Sequence, residues 1–149
     1  MVSDDSGNNY VPRRVNNRCL RAMAKKLLLL NYSGHPLVER PKGYDILDVE
    51  IPNIDMGSFN KVVDGVAELL KTPYERYKEQ LLKGEYEIIF PGASILTIVM
   101  AVVLHGISGH FPKIRYVYRT DNGFKLSDTI ELQNVRLSAR ESRFFASSK

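Results

Sequence analysis

Four consecutive leucines, Leu27–Leu30, constrain the fold of this chain more than any other feature. The run has the length of a β-strand, and its continuous apolar character predicts a strand that is buried. It stops at Asn31-Tyr32-Ser33-Gly34-His35-Pro36, where glycine and proline interrupt regular structure. The sequence therefore predicts a buried strand followed by a polar loop.

Strand and helix patterns alternate after this first strand. From Asp45 to Ile51 apolar and acidic residues alternate, which predicts a strand with one wet face in an outer position of a sheet. Apolar residues recur at helical spacing from Phe59 to Leu70 and predict an amphipathic helix. Thr72-Pro73-Tyr74-Glu75 has the pattern of a capping box, so we expect a second helix to begin there and to end at Gly84.

The second half of the chain continues the alternation. Tyr86 to Phe90 has the pattern of a short apolar strand, and Ile95 to Leu104 predicts a helix that is apolar nearly all round and must be enclosed. The remaining patterns are an alternating strand from Lys113 to Arg119, a hairpin turn at Asn122-Gly123 and a helix from Ile130 to Phe145. Together they predict an α/β fold: a three-layer sandwich with a mostly parallel sheet and a hairpin at one edge.

Length and cysteine content limit the class of protein. The chain has 149 residues, which suits one domain with its own core, and a single cysteine, Cys19. One cysteine excludes an internal disulfide and a multi-cysteine metal site, which fits a reducing compartment and predicts a cytoplasmic protein. The longest apolar stretch, Ile95 to Leu104, is half of the roughly 20 residues that a membrane-spanning helix requires, so we expect no membrane partner.

Basic charge is concentrated at the start of the chain. Residues 1–26 hold six basic and two acidic side chains, a surplus equal to the whole net charge of +4. Residues 1–24 lack an apolar rhythm, so we interpret them as a mobile basic leader, with Met23 as an alternative start that would leave the leader untranslated. A nucleic-acid-binding tail stays open as the other interpretation. Residues 25–149 then form a single domain, and the absence of net charge over residues 27–149 predicts no binding of duplex nucleic acid.

Two loops are the candidates for a binding site. In an open α/β sheet, ligands bind beyond the carboxyl ends of the strands, and two loops leave such ends here. The second loop also leads into a helix, whose first N–H groups attract an anion and especially a phosphate. An open alternative is that Ser94 only caps this helix and Gly92 only turns the chain. The candidate residues are Asn31, Tyr32, Ser33, Gly34 and His35 in the first loop and Gly92, Ala93 and Ser94 in the second.

Other chemistries have weaker support. His105 and His110 are five residues apart and lack a third ligand at a suitable spacing, so we predict no metal site and no cofactor. A Ser–His–Asp triad is equally unsupported, because no nucleophile-elbow motif is present. Arg136, Arg140 and Arg143 form a stripe at helical spacing, which is either a solvated face or a secondary candidate for phosphate binding.

Several short motifs carry a family resemblance. They are Asn31–Leu37 after the first strand, Pro91–Ser94, Leu104–Gly106, Gly109–Pro112 and Ile130–Arg136. Over residues 25–143 they resemble the small CRISPR-associated proteins of the Csx-fifteen family. This resemblance implies a Rossmann-like fold, similar to the CARF domains that sense cyclic oligoadenylates in type III CRISPR systems.

The resemblance also implies a function. It implies a homodimer that binds cyclic tetra-adenylate, sequesters it to regulate antiviral signalling, and can join dimers through shared ligand. The implied contacts are Ser33, Gly34, His35, Gly92 and Ser94. The apolar helix or the tyrosine-rich strand could supply the dimer surface.

Tyr32 could add a ring on which an adenine stacks. Two alternatives stay open: a metal-independent ring nuclease with His35 as acid or base, and a protein–protein adaptor that binds no ligand. One departure concerns the fold, because the connection from Leu37 to Tyr44 is too short for the usual crossover helix, so the direction of the second strand is open.

Overall fold

The computed structural model describes residues 26–142. The elements are β1 (Leu27–Asn31), β2 (Tyr44–Asp48), α1 (Phe59–Arg76), α2 (Lys78–Lys83), β3 (Glu87–Ile89), α3 (Ser94–Ser108), β4 (Lys113–Arg115), β5 (Val117–Thr120), β6 (Gly123–Leu126), β7 (Ile130–Glu131) and α4 (Leu132–Glu141). Five strands form one sheet in the order β2-β1-β3-β4-β7, in which β7 is antiparallel and the other four strands are parallel. The predicted α/β class with a mostly parallel sheet is therefore confirmed.

The two faces of the sheet are covered differently. On one face, Leu28, Leu30 and Ile88 pack into the main core together with buried residues of α1, α2 and α3. On the other face, Leu29 and Ile89 pack against Leu37 of the β1–β2 connection and Leu126 of β6. A loop and a hairpin therefore cover part of the face where the predicted three-layer sandwich would have helices.

The β1–β2 connection settles the direction that the sequence left open. β2 pairs in parallel with β1, from Leu27↔Tyr44 to Asn31↔Asp48, although the connection holds no helix. β2 lies at one edge of the sheet, which confirms its predicted outer position. β1 is central and buried from Leu28 to Asn31, as its apolar run predicts.

Two predictions about the end of the chain are wrong in detail. β5 and β6 pair through the predicted Asn122-Gly123 turn, but they form a separate two-stranded sheet and do not extend the main one. The edge beside β4 is taken by β7, Ile130–Glu131, in a segment that the sequence predicts as helix. The helix itself begins at Leu132, because Ile130 pairs with Ile114 and its neighbour Glu131 with Lys113.

The predicted capping box at Thr72 does not start a helix. α1 runs without interruption from Phe59 to Arg76, its N-cap is Ser58, and the next helix begins only at Lys78. Pro73 lies inside α1 and is buried. Gly84 ends α2 in the left-handed conformation with a φ of 71°, as predicted.

Pro73 leaves one helix carbonyl without its usual donor, and Tyr32 replaces that donor. In a regular helix the N–H of residue 73 would bond the carbonyl of Leu69, but proline has no N–H. The Tyr32 hydroxyl donates to the Leu69 carbonyl oxygen at 2.9 Å. Burial, and then the nearby Tyr86, raise the pKa of Tyr32, so the hydroxyl keeps its proton.

Within residues 26–142, α3 is not enclosed, although the sequence predicts that it should be. Leu96, Met100 and Leu104 are buried against the sheet, whereas Ile98 and Val102 are 60% and 64% exposed. The helix is apolar all round in sequence, but the described residues cover only the side that faces the sheet. Within the described part of the chain, one apolar side of α3 is therefore uncovered.

A buried ion pair joins the strands on the second face. The Arg115 guanidinium bonds Glu87 at 3.0 Å, the Tyr44 hydroxyl at 2.9 Å and the Ser127 carbonyl at 3.3 Å, and Thr129 also donates to Glu87. Burial acts to raise the pKa of Glu87, but hydrogen bonds from Thr129, Tyr44 and Arg115 lower it overall. The network fixes the segment between β6 and β7 to the sheet.

The predicted leader, residues 1–24, and Arg143 lie outside the described residues. The same holds for the last residues of the predicted terminal helix. Among the described residues, no helix combines the length and apolar character needed to cross a membrane.

Candidate functional site

The two predicted loops leave the same edge of the sheet from neighbouring strands. Asn31 and Ile89 are register partners at the ends of β1 and β3, and the Tyr32 N–H donates to the Ile89 carbonyl at 2.9 Å. From β1 the chain continues to β2 on one side, whereas β3 lies on the other side. The gap between β1 and β3 is therefore a topological switch point, the place where open α/β sheets bind ligands.

Asn31 organises the loop that follows β1. Its side-chain amide donates to the His35 carbonyl at 2.9 Å and to the Asp48 carboxylate at 2.8 Å. Its oxygen accepts from the Ser33 hydroxyl at 2.7 Å and from the Ser33 N–H at 3.1 Å. Asn31 is buried, so its polar groups shape the loop and do not face a ligand directly. Ser33 shares this role and is half-buried.

Tyr32 is not available for stacking, which corrects its predicted role. The residue is fully buried in the main core, and its hydroxyl bonds the Leu69 carbonyl. A strand that leaves β1 with alternating side chains points Tyr32 to the same face as Leu28 and Leu30, against the helices.

Gly34 and His35 form the exposed tip of the first loop. Gly34 has a φ of 81°, a conformation that glycine adopts at little cost, and it turns the chain toward His35. His35 is exposed and borders two cavities. The smaller of these, about 170 Å³, is also bordered by Asp48 and Glu50 on the β2 side. Arg40 pairs with Asp48 at 3.2 Å.

The second loop presents the start of α3 to solvent. Ala93 is the N-cap residue, so no side chain caps the helix, and Ser94 is its first residue and is exposed. The alternative that Ser94 caps the helix is therefore wrong. Thr97 fixes the loop by donating to the Pro91 carbonyl at 2.8 Å. A methyl group placed on Gly92 would meet no atom within 4 Å, so the space in front of this turn is open.

A larger cavity lies beside this edge, and the sequence did not reveal it. It has a volume of about 490 Å³ and separates the loop after β1 from the hairpin β5–β6. Ser33 and His35 border it from the loop, and Val117, Phe124 and Leu126 border it from the hairpin. The alternation of apolar and polar residues in the hairpin predicts one apolar face, but only the fold shows that this face opposes the loop.

The other candidate groups are dispersed. Among residues 26–142, no three His, Cys, Asp or Glu side chains come together in a way that could hold a metal ion. His105 lies in the last turn of α3, where its ring packs on Phe111 with 4.5 Å between the ring centroids. On α4, Arg140 is exposed and Arg136 is half-buried, and both are distant from the two loops along the chain.

Comparisons with known proteins do not identify a relative. The chain matches no family model, and no curated protein or solved structure matches it. The resemblance to the Csx-fifteen family therefore remains a prediction from the sequence motifs.

Proposed function

We propose that this protein binds a cyclic oligoadenylate, with cyclic tetra-adenylate as the expected ring, and sequesters it as a regulator in type III CRISPR defence. In this proposal the domain is Rossmann-like and related to CARF domains. The observation that carries the proposal is the meeting of the two candidate loops at the switch point between β1 and β3.

The charge distribution at this edge favours one side for the phosphates. Asp48 and Glu50 border the cleft on the β2 side and repel a polyanion. On the β3 side, α3 begins without a side-chain cap and without an acidic residue in its first turn. Free N–H groups at a helix N-terminus bind phosphate oxygens, so the proposal puts the phosphates over Gly92–Ser94.

The exposed side of α3 supports a homodimer. Ile98 and Val102 lie four residues apart on this side, and residues 94–104 contain no charged side chain. A two-fold contact repeats the same surface on both subunits, and this surface has no charge that would repel its copy. An axis near the first turns of α3 would bring both carboxyl edges to one ring-shaped ligand.

Binding without cleavage agrees with the surroundings of His35. The ring is exposed, and among the described residues no carboxylate lies within ion-pair distance of it. A general base normally needs a partner that orients it and tunes its pKa. We therefore propose that the protein sequesters the cyclic oligoadenylate without cleaving it. Analysis of the ligand after incubation with the protein distinguishes this role from that of a ring nuclease.

Isothermal titration calorimetry with cyclic tetra-adenylate tests the proposal. Cyclic tri- and hexa-adenylate and linear tetra-adenylate serve as comparison ligands. Gly92→Asp should weaken binding at least about tenfold, because a carboxylate would face the phosphates. Gly92→Ala adds the same Cβ without the charge, so the difference in affinity between the two variants measures the effect of the carboxylate. The proposal is refuted if no cyclic oligoadenylate binds. Linear oligoadenylates found after incubation would show that the protein cleaves the ring and does not sequester it.

The dimer needs a separate test. Light scattering after size exclusion should give a dimer for the wild type and a monomer for Ile98→Glu, because the charge would be buried between the subunits. Val135→Glu on α4 is the control, since Val135 is also apolar and 57% exposed. A monomeric wild type, or a loss of the dimer in both variants, would contradict an α3 interface.

A further inference from the structure

A cavity lies between the loop after β1 and the hairpin β5–β6. Its volume of about 490 Å³ falls in the range of roughly 300–1,000 Å³ that small-molecule sites occupy. Ser33, His35 and Pro36 of the loop after β1 line this cavity, so the cavity lies beside the loop that leaves the switch point. A group bound in the cavity would therefore lie next to that loop.

The hairpin supplies an apolar wall with one aromatic ring. Val117 pairs directly with Leu126, and the next pair is Tyr118 with Lys125, so Val117, Leu126 and Phe124 lie on one face. All three line the cavity, opposite Leu37 of the loop. Phe124 remains 57% exposed, which leaves its ring free for another flat ring.

The loop side adds a small number of polar groups. Glu39 offers a carboxylate that accepts hydrogen bonds, and His35 offers an imidazole that donates or accepts. A purine base with an exocyclic amine has the matching set of groups on its edge and two faces for stacking. An alkyl chain would use the apolar wall but neither polar group.

We propose that this cavity is the pocket for an adenine base, with Phe124 as the stacking ring and Glu39 as the acceptor for the exocyclic amine. The inference rests on the proposed function for the molecule that carries the base. It moves base recognition from the buried Tyr32 to the hairpin. In a dimer each subunit would hold one base, while the phosphates lie over Gly92–Ser94.

Conservative variants of Phe124 separate stacking from packing. Phe124→Tyr keeps the ring and should bind cyclic tetra-adenylate within about twofold of the wild type. Phe124→Leu keeps apolar bulk without a ring and should lose about tenfold or more, because base–aromatic stacking is a large part of such binding. Circular dichroism and thermal unfolding of both variants should match the wild type, since Phe124 is mostly exposed. Equal affinities of Phe124→Leu and the wild type would overturn the pocket while leaving the proposed function intact.

A second measurement keeps the inference testable if no cyclic ligand binds. Adenosine monophosphate is titrated into labelled protein, and amide shifts are followed by NMR. Shifts at Val117, Phe124 and Leu126 that disappear in Phe124→Leu would support an adenine pocket even though the proposed function has failed. No shifts at these positions would overturn it. Shifts with decanoate and none with adenosine monophosphate would also overturn it, because the cavity would then be an acyl pocket.

Discussion

The hydroxyl of Tyr32 is predicted to stabilise the fold through the carbonyl that Pro73 leaves free. In Tyr32→Phe the Leu69 carbonyl loses the donor at 2.9 Å and stays in the core, where an unpaired polar group costs about 1–3 kcal/mol. We therefore expect Tyr32→Phe to lower the free energy of unfolding by about 2 kcal/mol. Urea denaturation followed by circular dichroism measures this change.

The second half of the prediction is a coupling between the two residues. Pro73→Ala restores an N–H that can reach the Leu69 carbonyl, so removing the Tyr32 hydroxyl should then cost about 1 kcal/mol less than in the wild type. A double-mutant cycle isolates this difference from the packing that Pro73→Ala itself removes. The measured quantity is the interaction energy between positions 32 and 73.

Tyr86 provides the matched control. It is buried beside Tyr32, but its hydroxyl has no hydrogen-bond partner within residues 26–142. Tyr86→Phe removes the same atom without orphaning a carbonyl, so its effect should be neutral or stabilising. Equal losses in Tyr32→Phe and Tyr86→Phe, or a zero interaction energy with Pro73→Ala, would refute the reasoning.

Three further predictions concern the ion pairs and the end of α3. Arg115→Met should lower the free energy of unfolding by about 3 kcal/mol or more, because it leaves Glu87 charged and buried. Arg40→Met removes a half-exposed ion pair and should lower it by less than about 1 kcal/mol. Equal losses for the two variants in urea denaturation would contradict this prediction. The folded protein lowers the pKa of Glu87, so the ionised carboxylate stabilises the fold above its ordinary pKa of 4.5, and this stabilisation is lost as pH falls through the folded pKa. The difference in free energy of unfolding between the wild type and Glu87→Gln should therefore become smaller below about pH 4.5. A difference that stays constant down to about pH 3 would contradict this prediction. Gly109→Ala, at a φ of 78°, should destabilise the protein by about 1 kcal/mol, whereas Gly106→Ala within α3 should stabilise it by up to about 1 kcal/mol. Thermal unfolding measures both changes, and unfolding temperatures that shift in the same direction in the two variants would contradict this prediction.

The sheet was largely predictable because its signals are local. The leucine run of β1 and the alternation of β2 each determine a burial pattern, and burial on both faces or one face decides a central or outer position. The short β1–β2 connection also shows in the sequence as a missing helix. The direction of β2 does not show in the sequence, because it depends on how β2 pairs with β1 in the assembled sheet.

The errors arise where a local pattern depends on a distant partner. Thr72-Pro73 has the features of a helix start, but Tyr32, far away in the chain, satisfies the carbonyl that the proline frees and lets α1 continue. Tyr32 itself is hidden from a ligand because it lies on the face of β1 that packs against the helices. α3 was misjudged for a related reason, since apolar composition cannot tell whether a second subunit or the same chain covers a helix.

The candidate site was predictable as a place more than as a set of contacts. Polar loops after two apolar strands indicate a shared edge once the strands are taken as parallel. The sequence did not indicate that the Asn31 side chain bonds within its own loop. Nor did it indicate that Phe124, almost a hundred residues later, lines a cavity beside that loop. Such contacts follow from tertiary placement, for which no spacing rule exists.

The separate hairpin has a consequence for dynamics. β5 and β6 share no ladder with the five-stranded sheet and are fastened mainly at their base, where Tyr116 and Ser127 exchange hydrogen bonds of 2.8 and 2.9 Å. We expect this hairpin to open locally while the five-stranded sheet stays folded, so its amide protons should exchange with deuterium faster than those of β1. A ligand bound in the cavity between the hairpin and the loop after β1 would slow that exchange, because it would hold the hairpin in place. Slower exchange in β5 and β6 would then indicate that the cavity is occupied.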